Sequence, residues 1–410
     1  MMKQTEMMII GGGASGLAAA VAVKRAAPTC RLCICEKNAR VGKKLLATGN
    51  GRCNLGNCNQ NIRYYHGSLT ALLPEIMNQT LDTQTFFAEM GLYCRQDKEG
   101  RLYPKSNQAA SVLDALRFTA EQMGTEIYCN CAVYDLYPQG NYIHVQTEAG
   151  MFQAKAVLVT TGGYAAPKTG SDGSIFSALE KLGHSHPLAK PALVPFYTDP
   201  QSLRGLKGIR IRGRVSAYTA QEQCLAYETG EIQFTERSLS GICVMNLSAS
   251  CSETEPSYLS LDLLPEESIS QTLAKLWDIY AARATWHIED FLTGLFPKKV
   301  GVSILRKSGI SLPLYTSVFQ LSAPELERLS QLCHDWRFSV VSRGNWQEAQ
   351  VTAGGIPSDE VDKNLQSLYV PGLFFAGEIL DLHGNCGGYN LDWAWHSGQY
   401  AGQHAIMAAL

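Results

Sequence analysis

Apolar residues form short unbroken runs near both ends of the chain and alternate with polar ones through its middle. Residues 7–10, "MMII", suit a buried parallel strand, and residues 14–26, "ASGLAAAVAVKRA", are strong helix formers. "RLCICE" reads as a second strand ending at Glu36, and residues 36–57, rich in Gly, Asn and Lys, as a long functional loop. Residues 109–123 carry Val112, Leu113, Leu116 and Met123 on one side of an amphipathic helix. "TEIYCNCAV" is a further strand. Alternation with turn signals at Gln139-Gly140-Asn141 and Glu148-Ala149-Gly150 predicts a β-meander leading into an apolar strand at 156–161.

Past about residue 188 the pattern changes. "GLKGIRIRGRVSAYTAQEQCLAYETGEIQFTE" alternates like antiparallel strands, residues 265–283 and about 286–308 read as helices, and Ser322-Ala-Pro-Glu325 resembles a capping box. From about 345 the glycine-rich texture returns, with a strand at 373–376 and a closing helix at about 390–409. The expected architecture is α/β: a discontinuous nucleotide-binding domain (1–188 and 345–410), interrupted by a β-rich insert (189–263 and 311–344) and a small helical segment (264–310).

Composition narrows the function classes. Apolar content of 45% and charged content of 18% are globular values, and 35 basic against 37 acidic residues leave a net charge of −2, which offers nothing global to nucleic acid or an anionic membrane. "MMKQTEMMII" is too short for a secretory h-region, and no apolar run approaches the ~18 residues of a membrane span. With thirteen cysteines, the simplest reading is reduced thiols in a cytoplasm. Cys30, Cys33 and Cys35 read as small hydrophobes in a strand rather than as zinc ligands, so no metal is expected.

The chemistry sits at the two ends. Gly11, Gly13 and Gly16 fit G-x-G-x-x-G between strand and helix: a tight turn, a close approach to pyrophosphate, and close helix–strand packing. The helix N-terminus offers free N–H groups and partial positive charge to phosphate. Glu36, twenty residues beyond Gly16, can accept from ribose hydroxyls, which implies FAD or NAD rather than NADP. At the other end, Gly377 and Glu378 follow an apolar strand, and Gly387 and Gly388 precede the last helix. A flavin's N1–C2=O edge becomes anionic on two-electron reduction, and a helix N-terminus there favours that form. FAD is long enough to reach both ends, so it is preferred over NAD.

The blocks "GGGASGLAAA", "EKNARVGKKLLATGNGRCNLGN", "TGGYAAPKTGSDG", "LGHSHPLAKPALVPF", "VTAGG" and "GEILDLHGNCGGYNLDWAWHSG" together resemble the BaiN/RdsA-type NAD(P)/FAD-dependent oxidoreductases, aminoacetone oxidase-like flavoproteins, through nearly the whole chain. The resemblance implies a glutathione-reductase-like FAD domain with an inserted β-barrel and a small helical domain. It implies that Gly11, Gly13, Ala14, Ser15 and Gly16 hold the pyrophosphate and Glu36 the adenosine ribose, with Lys37, Lys43 and Lys44 near phosphates or ribose. Asn50, Gly51, Arg52, Cys53 and Asn54 would line the flavin, Val133 would meet adenine through its backbone, and Thr161 and Gly162 would pass under the dinucleotide. Gly377, Glu378 and Asp381 would meet the ribityl and phosphate portion, and Gly388, Tyr389 and Asn390 would cap the isoalloxazine. The sequence departs from the pattern at Glu236-Arg237-Ser238, where a histidine is expected, at Ile242-Cys243, where proline is usual, and at His383 and Asp392, which stand where an acid or asparagine and a glutamine are common. Those changes bear on substrate identity.

Flavin carries the redox step and protein supplies position and electrostatics, so no nucleophile is needed; G-x-S-x-G and HExxH are absent. Arg52 is a candidate to pair with a carboxylate substrate or with reduced flavin, the alternative being an arginine that orders its loop. His383 is a candidate proton donor near N5, the alternative being a solvent-facing loop histidine. Cys53 and Cys58 are spaced too widely for an ordinary redox-active disulfide. No second G-x-G-x-x-G follows a strand, so NAD(P)H as donor would dock transiently, with the insert as pocket wall. The leading expectation, which the resemblance implies, is NAD(P)H-fed reduction of an enone such as a 3-oxo-Δ4,6 bile acid. The alternatives are a small-amine oxidase using oxygen and a flavin-binding module with a partner such as RNA, supported only by the basic stretch 206–214. Small-molecule substrates are favoured and no nucleic-acid partner is expected.

Overall fold

The computed structural model describes residues 2–185, 189–252 and 254–410. It divides into two compact units, residues 1–192 with 345–410, and residues 193–344. The boundary expected at 188/189 and residues 186–188 of "LGHSHPLAKPALVPF" lie at or within a stretch outside the described residues.

After a two-residue strand at Lys3–Gln4, the first unit runs through β1 (Met7–Ile10), α1 (Ala14–Ala26) and β2 (Leu32–Cys35); β1 and β2 are buried along their whole length. A short helix α2 (Lys43–Ala47) and strand β3 (Tyr65–His66) interrupt the segment expected to be a loop and its sequel. Helix α3 (Ala109–Gln122) buries Val112, Leu113 and Leu116 as its periodicity requires. The single strand expected at 125–133 is instead two, because Asn130 takes a left-handed φ of 50° between β4 (Glu126–Tyr128) and β5 (Val133–Gln139). β5, β6 (Tyr142–Thr147) and β7 (Gly150–Ala154) form the antiparallel meander, and β8 (Ala156–Val159) follows it.

The second unit is a closed barrel of β9 (Phe196–Thr198), β10 (Arg210–Tyr218), β11 (Cys224–Phe234), β12 (Ser238–Ser240), β13 (Tyr258–Asp262) and β14 (Trp336–Arg343). It also contains α4 (Ile242–Ser250), α5 (Ile269–Ala282), α6 (Lys298–Lys307) and α7 (Ala323–His334), and barrel and helices share one apolar core. The Ser322/Glu325 capping box is present. The helix expected at 286–308 starts only at Lys298: Gly294 has φ 103° and Pro297 is the capping residue, both of which break helical continuity.

The chain then re-enters the first unit through β15 (Leu373–Phe375), β16 (His383–Gly384) and α8 (Tyr389–Ala409). The main sheet is parallel, in the order β15-β8-β1-β2-β4. The alanine-rich face of α1 lets α8 approach closely. A Cβ on Gly398 would lie 2.4 Å from the Ser15 carbonyl oxygen, and one on Gly402 would lie 3.1 Å from that of Ala19. First and last helices therefore pack backbone to backbone, which brings segments from the two ends of the chain together. No helix among the described residues is long and apolar enough to cross a membrane.

Candidate active site

The turn after β1 separates the three glycine roles. Gly11 has φ 106°, and a Cβ there would lie 2.8 Å from the Thr160 carbonyl oxygen. Gly16 is packed harder, with a Cβ position 2.1 Å from the Gly11 carbonyl oxygen. Gly13, which caps α1, has nothing within 4 Å of where its Cβ would be. No side chain caps α1 and no acid stands in its first turn, which opens with Ala14 and Ser15. The uncapped N-terminal turn and the positive end of the helix dipole therefore stand beside open space at Gly13, a cradle suited to pyrophosphate.

Glu36 follows β2 and is buried, with Oε2 accepting from Gly12 N (2.9 Å) and Oε1 from Asn38 N (2.8 Å) and Nδ2 (2.6 Å). A carboxylate has about four acceptor positions, so capacity remains for a ribose hydroxyl. The Glu36 carbonyl accepts from Cys131 N, which sets Val133 two residues further along. Of the three lysines, Lys37 is paired with Asp172 (2.6 Å) and Lys44 with Glu378 (2.5 Å), while Lys43 is exposed. Glu378 Oε1 also accepts from Thr352 N and Oγ1, both at 2.9 Å. Thr352 went unnoticed in the sequence as a site residue; "VTAGG" was the only signal, and its hydroxyl also accepts from Tyr164 N and leaves Gly163 no room for a Cβ.

Two distant motifs build the second cradle. Asn57 Nδ2 donates to Gly387 O (3.0 Å), Trp395 Nε1 to Leu55 O (2.8 Å), and Gln60 Nε2 to Asp392 Oδ2 (2.7 Å). Gly388 caps α8 with φ 107°, and a Cβ there would lie 2.4 Å from the Gly56 carbonyl oxygen. "GNGRCNLGN" thus clamps the start of the last helix. Within it, Asn50 (φ 54°) and Cys53 (φ 58°) hold left-handed conformations that are strained for residues with side chains, and Gly51 (φ 81°) has open space around its Cβ position. Arg52 is exposed, donates from Nε to Gly49 O (3.2 Å) and lies 5.2 Å from the Tyr103 ring centre. Cys53 is a free thiol whose pKa burial pushes up to about 12, so it stays protonated.

Gly377 (φ 77°) meets the first cradle directly: its Cβ position lies 2.5 Å from Ser15 Oγ. Ser397 Oγ accepts from Gly377 N (2.9 Å), and Trp393 Nε1 donates to Gly377 O (3.2 Å). Asp381 accepts from Ser68 N (2.9 Å) and anchors that loop. Asn390 both donates to Gly384 O and accepts from Gly384 N, and Tyr389 stacks on Tyr64 at 4.8 Å. Gly162 has φ 75°, beside Thr161. Thr161 Oγ1 and Asn54 Oδ1 are buried without a hydrogen-bond partner; such an atom costs ~1–3 kcal/mol unless something satisfies it.

His383 is not the solvent-facing residue of the alternative reading. β16 pairs with β3, His383 opposite His66, and the ring is 2% exposed. Neither ring nitrogen has a hydrogen-bond partner. Burial, with a smaller contribution from His66, lowers its pKa to about 3, so the imidazole is neutral at working pH. The neutral imidazole still carries one N–H that it can donate.

The donor set fits a flavin dinucleotide: an open, uncapped helix end for phosphate, a buried carboxylate for ribose, and a second glycine-capped helix end for the ring. The family model described as HI0933-like protein Rossmann domain matches residues 5–404. The chain belongs to the HI0933-like family. It is 35% identical over 405 residues to a 3-dehydro-bile acid delta(4,6)-reductase of Clostridium scindens, covering 97% of this chain and 98% of the relative. A ribosomal RNA dihydrouridine synthase of Haemophilus influenzae is 26% identical over 406 residues, covering 97% of each chain. Among solved structures, a 3-ketosteroid-delta4-(5alpha)-dehydrogenase from Rhodococcus jostii RHA1, in complex with 4-androstene-3,17-dione, aligns with TM-score 0.51 at 14% identity over 100% of this chain and 97% of its own. A 3-ketosteroid delta1-dehydrogenase from Sterolibacterium denitrificans aligns at 0.50 and 13%, over 99% and 100%. These share the fold. The HI0933-like chain is thus an enzyme, an oxidoreductase of the FAD-binding Rossmann type.

Proposed function

We propose that this enzyme reduces the C=C bond of an α,β-unsaturated ketone in an apolar, bile-acid-like substrate, with NAD(P)H as transient donor. The observation that carries this reading is the end-to-end 35% identity with the bile acid reductase. Bound FAD would supply hydride transfer through N5. The α1 N-terminus would hold its pyrophosphate, Glu36 its ribose, and the mouth of α8 would favour negative charge on the ring edge. Arg52, held on its loop by Gly49, would orient a carboxylate or ketone oxygen. Neutral His383 would act by hydrogen bonding alone, since its pKa keeps it from carrying a proton as a cation. Among the described residues the first unit has the one parallel sheet and the second unit is antiparallel, which favours a nicotinamide that visits over one with its own domain.

A second reading follows from the two relatives named ribosomal RNA dihydrouridine synthase, at 26% and 25% identity: uracil also presents a ring C=C conjugated to a carbonyl. The barrel weighs against RNA. Arg210 and Arg212 stand exposed on β10, but Arg210 is paired with Glu231 (3.0 Å) and Lys207 with Glu236 (2.8 Å), and Arg214 lies against Tyr227. That is a balanced, solvated strand face rather than a phosphate track. Anaerobic stopped-flow measurement decides. NADH or NADPH should bleach the flavin, and a 3-oxo-Δ4,6 steroid should restore its colour within turnover time. Restoration by uridine-containing RNA but not by the steroid would replace the first reading with the second.

A further inference from the structure

Asp392 stands in the first turn of α8, four residues beyond its cap, and is 1% exposed. Its oxygens both accept hydrogen bonds, Oδ1 from Thr83 Oγ1 (2.6 Å) and Oδ2 from Gln60 Nε2 (2.7 Å), and His396 Nε2 lies 3.8 Å from Oδ2. Gln60 Nε2 can only donate, which makes Oδ2 an acceptor, and the Thr83 hydroxyl completes the pair of partners on Oδ1. Nothing in the function so far uses this carboxylate. It is not needed as a cap, because N-caps act from the residue before the helix. An apolar or amide side chain would fill the position with less desolvation.

We propose that Asp392 is a positioning residue that holds down the reduction potential of the cofactor seated at the mouth of α8. The mechanism is electrostatic. The N-terminal end of α8 is positive and stabilises negative charge that appears on reduction. A buried carboxylate one turn inside the same helix opposes that field where water cannot screen it. A lower potential makes the reduced cofactor a stronger hydride donor, which suits transfer to an enone. The inference therefore rests on the reading that the α8 mouth receives the flavin ring.

The groups facing Asp392 are His396 on the same helix, Asp82 before the Thr83 helix, Tyr65 on β3, Cys58, and Tyr389. Burial raises the pKa of Asp392, while His396, Thr83 and Gln60 oppose the rise. Lowering pH toward protonation should therefore erase the effect.

The test is spectroelectrochemical titration of holoenzyme. Asp392→Asn and Asp392→Gln should each shift the equilibrium for two-electron reduction about tenfold toward the reduced form, which is about 30 mV for such a couple. Asp392→Glu, which restores the charge, should return the wild-type midpoint. At acid pH the wild-type and Asn midpoints should converge. If Asp392→Asn does not fold, Thr83→Val, which removes one donor to the carboxylate, should make the wild-type-like midpoint rise at a higher pH than in wild type. Yellow protein whose Asn, Gln and Thr83→Val variants match wild type at every pH overturns the inference and leaves the flavin reading intact. A chain that binds no FAD overturns both.

Discussion

At the N-terminus of α1 the cap Gly13 has open space beside it and no acid in the turn that follows, whereas at α8 the cap Gly388 is pressed against the Gly56 backbone and Asp392 lies buried within the first turn. Both ends use glycine, yet for opposite reasons: at the first the missing side chain leaves room for a ligand, and at the second it leaves room for the protein's own strand. An open, unopposed mouth suits a group of constant charge, such as a pyrophosphate. A clamped mouth with an internal counter-charge suits a group whose charge changes during turnover.

The harshest way to break the comparison is to fill the turn that both ends depend on. Gly16→Ala places a Cβ 2.1 Å from a backbone oxygen, and should destabilise the fold by about 3 kcal/mol, read as a lowered urea midpoint together with loss of bound FAD. Gly13→Asp separates binding from folding. Space is open and φ is −84°, so the variant should fold at least as well as wild type, because aspartate caps helices well. Its charge would face the phosphates, and FAD affinity should fall about a hundredfold, close to 3 kcal/mol, by isothermal titration. Equal losses of stability and affinity would mean that the α1 mouth is structural.

His383 sharpens the second region. Its native pKa of about 3 lies below the unfolded value near 6.5, so its contribution to stability is complete above pH 6.5 and is lost as pH falls toward 3, where only the unfolded chain takes up the proton. His383→Asn should remove that loss: the drop in unfolding free energy between pH 7 and pH 4.5 should shrink by roughly 2–3 kcal/mol, measured by urea melts at both values. An unchanged drop would place the ring in water. The smallest effect is expected at Lys44, which lies beside the first mouth. Lys44→Met breaks a partly exposed ion pair with Glu378 and should change stability by under about 1 kcal/mol, seen as a shift of only a few degrees in Tm.

Much of the first region was legible in the sequence because its signals are local: a strand, three glycines, a helix and a carboxylate lie within thirty residues, and each role follows from backbone geometry. The parallel sheet, meander and closing helix were legible for the same reason. The second region was legible only as a pair of motifs. Nothing local in residues 49–60 says that Asn57, Leu55 and Gln60 reach residues some 330 positions away. Nor does periodicity reveal that His383 pairs with His66 and loses water; a histidine between a leucine and a glycine reads as loop. The helix expected at 286–308 failed because apolar residues there face the barrel core through turns, which mimic helical spacing until Gly294 and Pro297 are weighed.

The central claim is that one dinucleotide is held by both ends of the chain. Its most direct test is titration of the apo chain with FAD and, separately, with FMN, followed by flavin absorbance and fluorescence. The account predicts one FAD per chain and FMN binding weaker by at least a hundredfold, since FMN cannot reach Glu36 while its ring occupies the α8 mouth. Equal affinity for FAD and FMN, or a chain that takes up neither, would contradict it.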